Sequence, residues 1–231
     1  MDDQWKPTKI DLFISGGITL LLPVFAGFLL KHTGAIIPMI IYYGIAWGVV
    51  KWRRGDTGYS LKKLSPPPLS FYIHIIVIVI ILIFAYFARI NVVNSSIIGV
   101  VFTGLVWAVC NASSEQLLWI YIFDSWTLYK KGSLLKNRQL LMGIIGFLLF
   151  SVFVGTIHTM YWGKFLHTIN PKMFFGVIFI IGTSLSGYLH VIVWRQSSRM
   201  IYTFIPHFLL NLVPLFWTGY SIIPYLFKPV V

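Results

Sequence analysis

Acidic side chains are what this sequence most lacks: six Asp and Glu residues stand against eighteen Lys and Arg, a formal charge of +12, and Glu115 is the only glutamate. Cysteine is nearly missing as well. Cys110 stands alone inside an apolar stretch, which excludes an intrachain disulfide framework and leaves the redox compartment open. Charged residues of either sign make up 10% of the 231 positions and hydrophobic ones 58%, which excludes an ordinary soluble domain. The solvent for such a chain is lipid. The positive charge does not indicate nucleic acid as a partner, because the basic residues fall in short clusters between apolar runs, as cytoplasmic loops do. The segment from Met1 to Lys6 lacks the basic start, immediate apolar run and small-residue cleavage site of a secretory leader, so the first apolar run is expected to be a retained span.

What the sequence has in abundance is long apolar runs. A hydrocarbon core of about 30 Å takes about 20 apolar residues as a helix. That ruler marks seven segments: Ile10–Leu30, Ala35–Val50, Leu69–Ala88, Ile97–Phe123, Leu140–Met160, Met173–Trp194 and Met200–Phe227. The last contains Pro206, Pro214 and Pro224, so it is either one kinked helix or two helices. The expected fold is therefore all-α, a polytopic transmembrane bundle of seven to eight spans in one domain covering residues 1–231, with short loops and no internal repeat. With the N-terminus in the cytoplasm, thirteen of the eighteen basic residues lie on the inner side, nine of them in the loops Lys51–Lys63 and Lys130–Arg138. The positive-inside rule selects that orientation.

Against this background a few polar residues are out of place. Asp2, Asp3, Asp11, Asp56 and Asp124 lie at or beyond span ends, whereas Glu115 lies inside the fourth span. Burying an ionisable group there costs roughly 2.5–3.5 kcal/mol, so such a residue marks a polar cavity and a functional site unless it merely locks helices together. His207 and Asn211 are four apart and share one helical face. Counted inward at about 1.5 Å per residue, from Arg199 for the pair and from Asp124 for Glu115, all three reach a common depth. His158, near the far end of the fifth span, is a further candidate, and His190 competes with it by lying closer in depth to Glu115. Counted from Arg138, His158 is about 30 Å inward, too deep to meet Glu115 on a straight helix. His74, His32 and His167 are read as lying outside the site. No His-Glu-x-x-His pattern is present, and neither a metal nor another cofactor is expected.

These residues resemble the motifs of the CPBP family, the type II CAAX prenyl endopeptidases and their bacterial relatives in bacteriocin processing and immunity. Members carry Glu-Glu-x-x-x-Arg, then Phe-x-x-x-His, then His-x-x-x-Asn. Here Glu115-Gln116-Leu117-Leu118-Trp119-Ile120 stands at the first, Phe153 to His158 at the second with the Phe one residue early, and His207-Phe208-Leu209-Leu210-Asn211 matches the third fully. The resemblance covers roughly residues 111–213, and a Pro immediately precedes the His of the third motif, as in the family. It implies an integral protein of the bacterial cell membrane that cleaves a membrane-associated or lipidated peptide. Glu115 would activate a water, His207 and Asn211 would donate to the oxyanion, and His158 would hold the water.

The departures are specific. The family's second Glu is Gln116 and its Arg is Ile120, four apart on one helix, so a charge pair has been lost as a unit. This leaves a rival reading, a catalytically silent relative acting as immunity factor, scaffold or substrate-binding partner. A transporter would instead call for further intramembrane charges or repeated halves. On sequence alone, Gln116→Glu is expected to destabilise the protein, because it adds an unpaired carboxylate beside Glu115.

Overall fold

In the computed structural model, residues 5–60, 65–91, 96–132 and 134–230 are described, and they are helical throughout apart from turns and one isolated bridge between Arg89 and Ile169. Asp2, Asp3, Lys62 and Lys63 lie outside the described residues. The elements run α1 (Lys9–Thr33), α2 (Ile36–Arg54), α3 (Leu69–Phe87), α4 (Ile97–Phe102), a π-helical segment (Thr103–Trp107), α5 (Ala108–Thr127), α6 (Lys136–Met160), α7 (Phe174–Ser197), α8 (Ile201–Leu212), α9 (Leu215–Thr218) and α10 (Ile223–Leu226). A single 3-10 turn, Trp162–Lys164, follows α6.

Six of these helical stretches are long and apolar enough to cross a membrane: Lys9–Thr33, Leu69–Phe87, Ile97–Thr127, Lys136–Lys164, Phe174–Ser197 and Ile201–Thr218. The segment expected at Ala35–Val50 forms α2, whose last turn carries Lys51, Arg53 and Arg54, and it is not among the six. At the C-terminal end the chain kinks at Val213-Pro214, where Pro214 has no N–H to continue the helical ladder. The α10 that follows has four residues, against about 20 needed to span, so it is not a separate crossing.

The bundle turns a soluble protein inside out. Large apolar side chains such as Phe13, Leu21, Ile97 and Phe174 point outward, while Asp11, His74, Glu115, Gln116, Asp124, His190 and His207 are buried. Lipid removes the penalty on the first group, and each member of the second needs a partner inside.

The two ends of the bundle are secured differently. At the basic end Asp11 reaches back to cap its own helix, accepting the Thr8 backbone N–H at 2.7 Å, and also accepts from Arg53 at 2.8 and 3.0 Å and from Tyr121 at 3.0 Å. That one carboxylate ties α1, α2 and α5. Asp124 accepts from Arg195 at 2.9 and 2.5 Å and has Arg54 at 3.7 Å, joining α5 to α7 and α2. At the opposite end uncharged groups make the connections: the Ala35 N–H donates to the Tyr225 carbonyl at 2.8 Å, that of Asn170 to Ala88 at 2.7 Å, and the Tyr161 hydroxyl to the Ala35 carbonyl at 2.8 Å. Gly34 makes the α1–α2 turn with φ of 78°, and a Cβ there would lie 2.7 Å from the Leu226 carbonyl oxygen. Only glycine fits on both counts.

Candidate functional site

The site is assembled on α5. Its preceding π-helical segment inserts one extra residue per turn over Thr103–Trp107, which changes the rotational phase between the outer part of the helix and the face that follows. From there inward Asn111 and Glu115 lie one turn apart on one side, with Gln116 and Trp119 beside them. All four are buried, Glu115 to within 2% exposure.

The two oxygens of Glu115 have different surroundings. Oε2 accepts from the Asn111 side-chain amide at 3.0 Å and lies 3.2 Å from Nε2 of His207 on α8. Oε1 is buried and has no hydrogen-bond partner among the described residues. The other nitrogen of His207, Nδ1, is 2.8 Å from the Gln116 Oε1, and the Gln116 amide nitrogen donates to the Tyr59 hydroxyl at 3.0 Å. Burial holds the Tyr59 phenol above its ordinary pKa, so it is a neutral hydroxyl that can donate or accept. With the amide in this orientation Nδ1 carries a hydrogen, and the Nε2–Oε2 contact closes when one further proton is shared between imidazole and carboxylate. Reversing the amide would leave the hydrogen on Nε2 instead. In both arrangements Gln116 selects the state in which His207 faces the carboxylate.

Trp119 organises the imidazoles. Its indole stacks on His207 with ring centroids 5.1 Å apart and an interplanar angle of 22°, meets His190 edge-on at 5.6 Å, and lies 6.4 Å from His158. His190 in turn packs 5.5 Å from His207 and 4.3 Å from His74. The structure thus gathers residues from α3, α5, α7 and α8 around one buried carboxylate.

Of the four site residues read from the sequence, Glu115 and His207 are in direct contact. Asn211 follows His207 by one turn of α8, and its buried side-chain nitrogen has no partner. His158 is exposed near the end of the 25-residue α6, bonds its own Val154 carbonyl at 2.8 Å, and makes no hydrogen bond to Glu115. The helix is continuous over Lys136–Met160, and the ring of His158 lies at the edge of the cluster, 6.4 Å from that of Trp119. Asn111, Gln116 and Trp119 belong to the cluster without having been singled out for it. So does His74, which the sequence reading set aside. Its position one turn inside α3 carries no signal of what α7 places opposite. Among the described residues no group of three or more His, Cys, Asp or Glu side chains is arranged to hold a metal ion.

The arrangement has the parts needed for acid–base chemistry: a carboxylate with one free oxygen, an imidazole oriented on both nitrogens, and an amide donor one turn away. No family model, no curated protein and no solved structure matches this chain.

Proposed function

We propose that the chain is an intramembrane endopeptidase of the CPBP type, in which Glu115 activates a water to cleave a membrane-associated or lipidated peptide. The observation that carries this reading is the division of labour at Glu115: one oxygen is held by Asn111 and His207, and the other is buried without a protein partner. A carboxylate placed only to lock helices would engage both oxygens, as Asp11 does. A base needs one oxygen for the proton it removes.

In this reading Oε1 takes a proton from water as the water attacks the peptide carbonyl. His207, oriented by Gln116 and backed by Trp119, stabilises the charge on Glu115. Asn211 offers its free N–H₂ to the developing oxyanion. The protonated carboxyl then delivers the proton to the leaving amine, so atoms and charge balance over the cycle. No metal takes part in these steps. Loss of an oxyanion donor through Asn211→Ala should lower turnover about 10²–10³-fold with expression unchanged. Unchanged turnover would make Asn211 a packing residue. The natural peptide is found by comparing membrane-associated peptides of cells with and without the protein.

The topology that goes with this function is seven crossings with the N-terminus in the cytoplasm of a bacterial cell. Arg53 of α2 bonds Asp11 at the start of α1, which supports counting α2 as a crossing although its last turn is basic. A cysteine substituted at Lys62 should then resist an impermeant thiol reagent in intact cells. Rapid labelling would invert the orientation.

One observation favours the rival, a catalytically silent relative that binds substrate or confers immunity. Ile120 is fully buried where the family carries Arg, so the site has lost that charge without replacing it. The two readings part on whether the purified protein turns over its peptide.

A further inference from the structure

Behind the Glu115–His207 pair lies a second polar group that the proposed chemistry does not use. His74, Ser186 and His190 are each no more than 1% exposed. Ser186 ties the two imidazoles together: its hydroxyl lies 2.9 Å from Nε2 of His74, and its carbonyl oxygen lies 2.9 Å from Nδ1 of His190. A carbonyl oxygen can only accept, so Nδ1 of His190 carries the hydrogen. The neutral ring then offers a bare Nε2 lone pair, which is buried and has no hydrogen-bond partner, as is Nδ1 of His74. The ring cannot turn away, since it is held edge-on by His74 at 4.3 Å and Trp119 at 5.6 Å and packs against His207 at 5.5 Å. A buried polar atom without a partner is costly, and this one is held against the ring of His207, which contacts Glu115.

We infer that His190 is a hydrogen-bond acceptor for a backbone N–H of the substrate, with His74 and Ser186 as the residues that position it. The inference rests on the hydrolytic reading of Glu115 and names the substrate class that site takes. His190 supplies an acceptor in need of a donor, and the free amide nitrogen of Asn211, one turn from His207, supplies a donor in need of an acceptor. A secondary amide carries both. An ester or a thioester offers only the carbonyl, so the pair selects a peptide over an acyl ester.

The test uses the full-length wild-type protein in detergent micelles, labelled with ¹⁵N-histidine, with His190→Gln to assign the ring. The probe is N-acetyl-leucine methylamide, with its fully N-methylated analogue as control. The expected result is a protonated Nδ1 and a bare Nε2 for His190, and an upfield displacement of Nε2 with the amide but not with the N-methylated analogue. An unprotonated Nδ1, no displacement, or equal displacement by both compounds would overturn the inference. The readout does not depend on turnover. Displacement in a protein that hydrolyses no peptide removes the hydrolytic reading and leaves an amide-binding site. Turnover that disappears in Glu115→Gln, without displacement of His190, removes the subsite alone.

Discussion

Two regions of this molecule bury acids, and they treat them in opposite ways. At the basic end Asp11 has Arg53 across both oxygens and Thr8 and Tyr121 on the remaining lone pairs, while Asp124 lies between Arg195 and Arg54. In the middle of the bundle Glu115 meets no guanidinium or ammonium among the described residues. Its partners are an amide and an imidazole, and one oxygen has none. An arginine stays charged at any accessible pH, so the first arrangement fixes a charge permanently. An imidazole and a carboxylate in contact can pass one proton between them, so the second keeps the charge movable. The same element, α5, carries both kinds of acid nine residues apart, structural at Asp124 and available at Glu115.

Asp11→Ala should give the largest effect, because it strands the partly buried Arg53 and frees Tyr121 together. A loss of about 3–5 kcal/mol is expected, measured by thermal or denaturant unfolding in detergent. A loss below about 1 kcal/mol would mean that water reaches Arg53 and that the end is not a buried lock. Ile120→Arg comes next, at about 3 kcal/mol, since position 120 is wholly buried and the introduced charge meets no formal counter-charge at Gln116.

Gln116→Glu should be the mildest of the three, at about 1 kcal/mol. Its site is not the unpartnered one the sequence suggests, because His207 Nδ1 and the Tyr59 hydroxyl can both donate to a carboxylate there. Combining the two changes should recover more than the sum of the single effects, by about 0.5–3 kcal/mol. Strict additivity would separate the two positions and undo the alignment of Glu115 to Ile120 with the family motif.

How much of this was legible in the sequence differs between fold and site. Apolar runs of span length are explicit in the one-dimensional pattern, so five of the six spanning stretches lie within a few residues of where hydropathy puts them, and the sixth, Ile201–Thr218, runs on through Pro214 and stops before Gly219, whose φ of 63° is left-handed. The π-helical turn at Thr103–Trp107 leaves no trace in the apolar pattern, and neither does the bond by which the Thr103 hydroxyl there accepts the Ile222 N–H of the C-terminal segment at 2.9 Å. In the site, Glu115 and His207 stood out because an ionisable residue in an apolar run is costly, and such cost is visible residue by residue. Gln116, Asn111 and Trp119 are ordinary on a helix, and only the distance to His207 or Glu115 gives them a role. His158 enters from motif spacing, and it lies at the rim of the cluster, exposed near the end of α6 with its ring 6.4 Å from that of Trp119.

The comparison of the two acids is tested most directly by removing each charge without changing its volume. Thermal midpoints and peptide turnover would be measured side by side for Glu115→Gln and Asp11→Asn in the purified protein. The account predicts that Glu115→Gln abolishes turnover with a midpoint equal to or above that of the unaltered protein, because a desolvated charge with one idle oxygen is held at a cost to stability. Asp11→Asn should lower the midpoint by several degrees and reduce turnover only in proportion to the protein unfolded. A midpoint for Glu115→Gln that falls as far as that of Asp11→Asn, with turnover retained in the folded fraction, would make Glu115 a second structural lock and contradict the account.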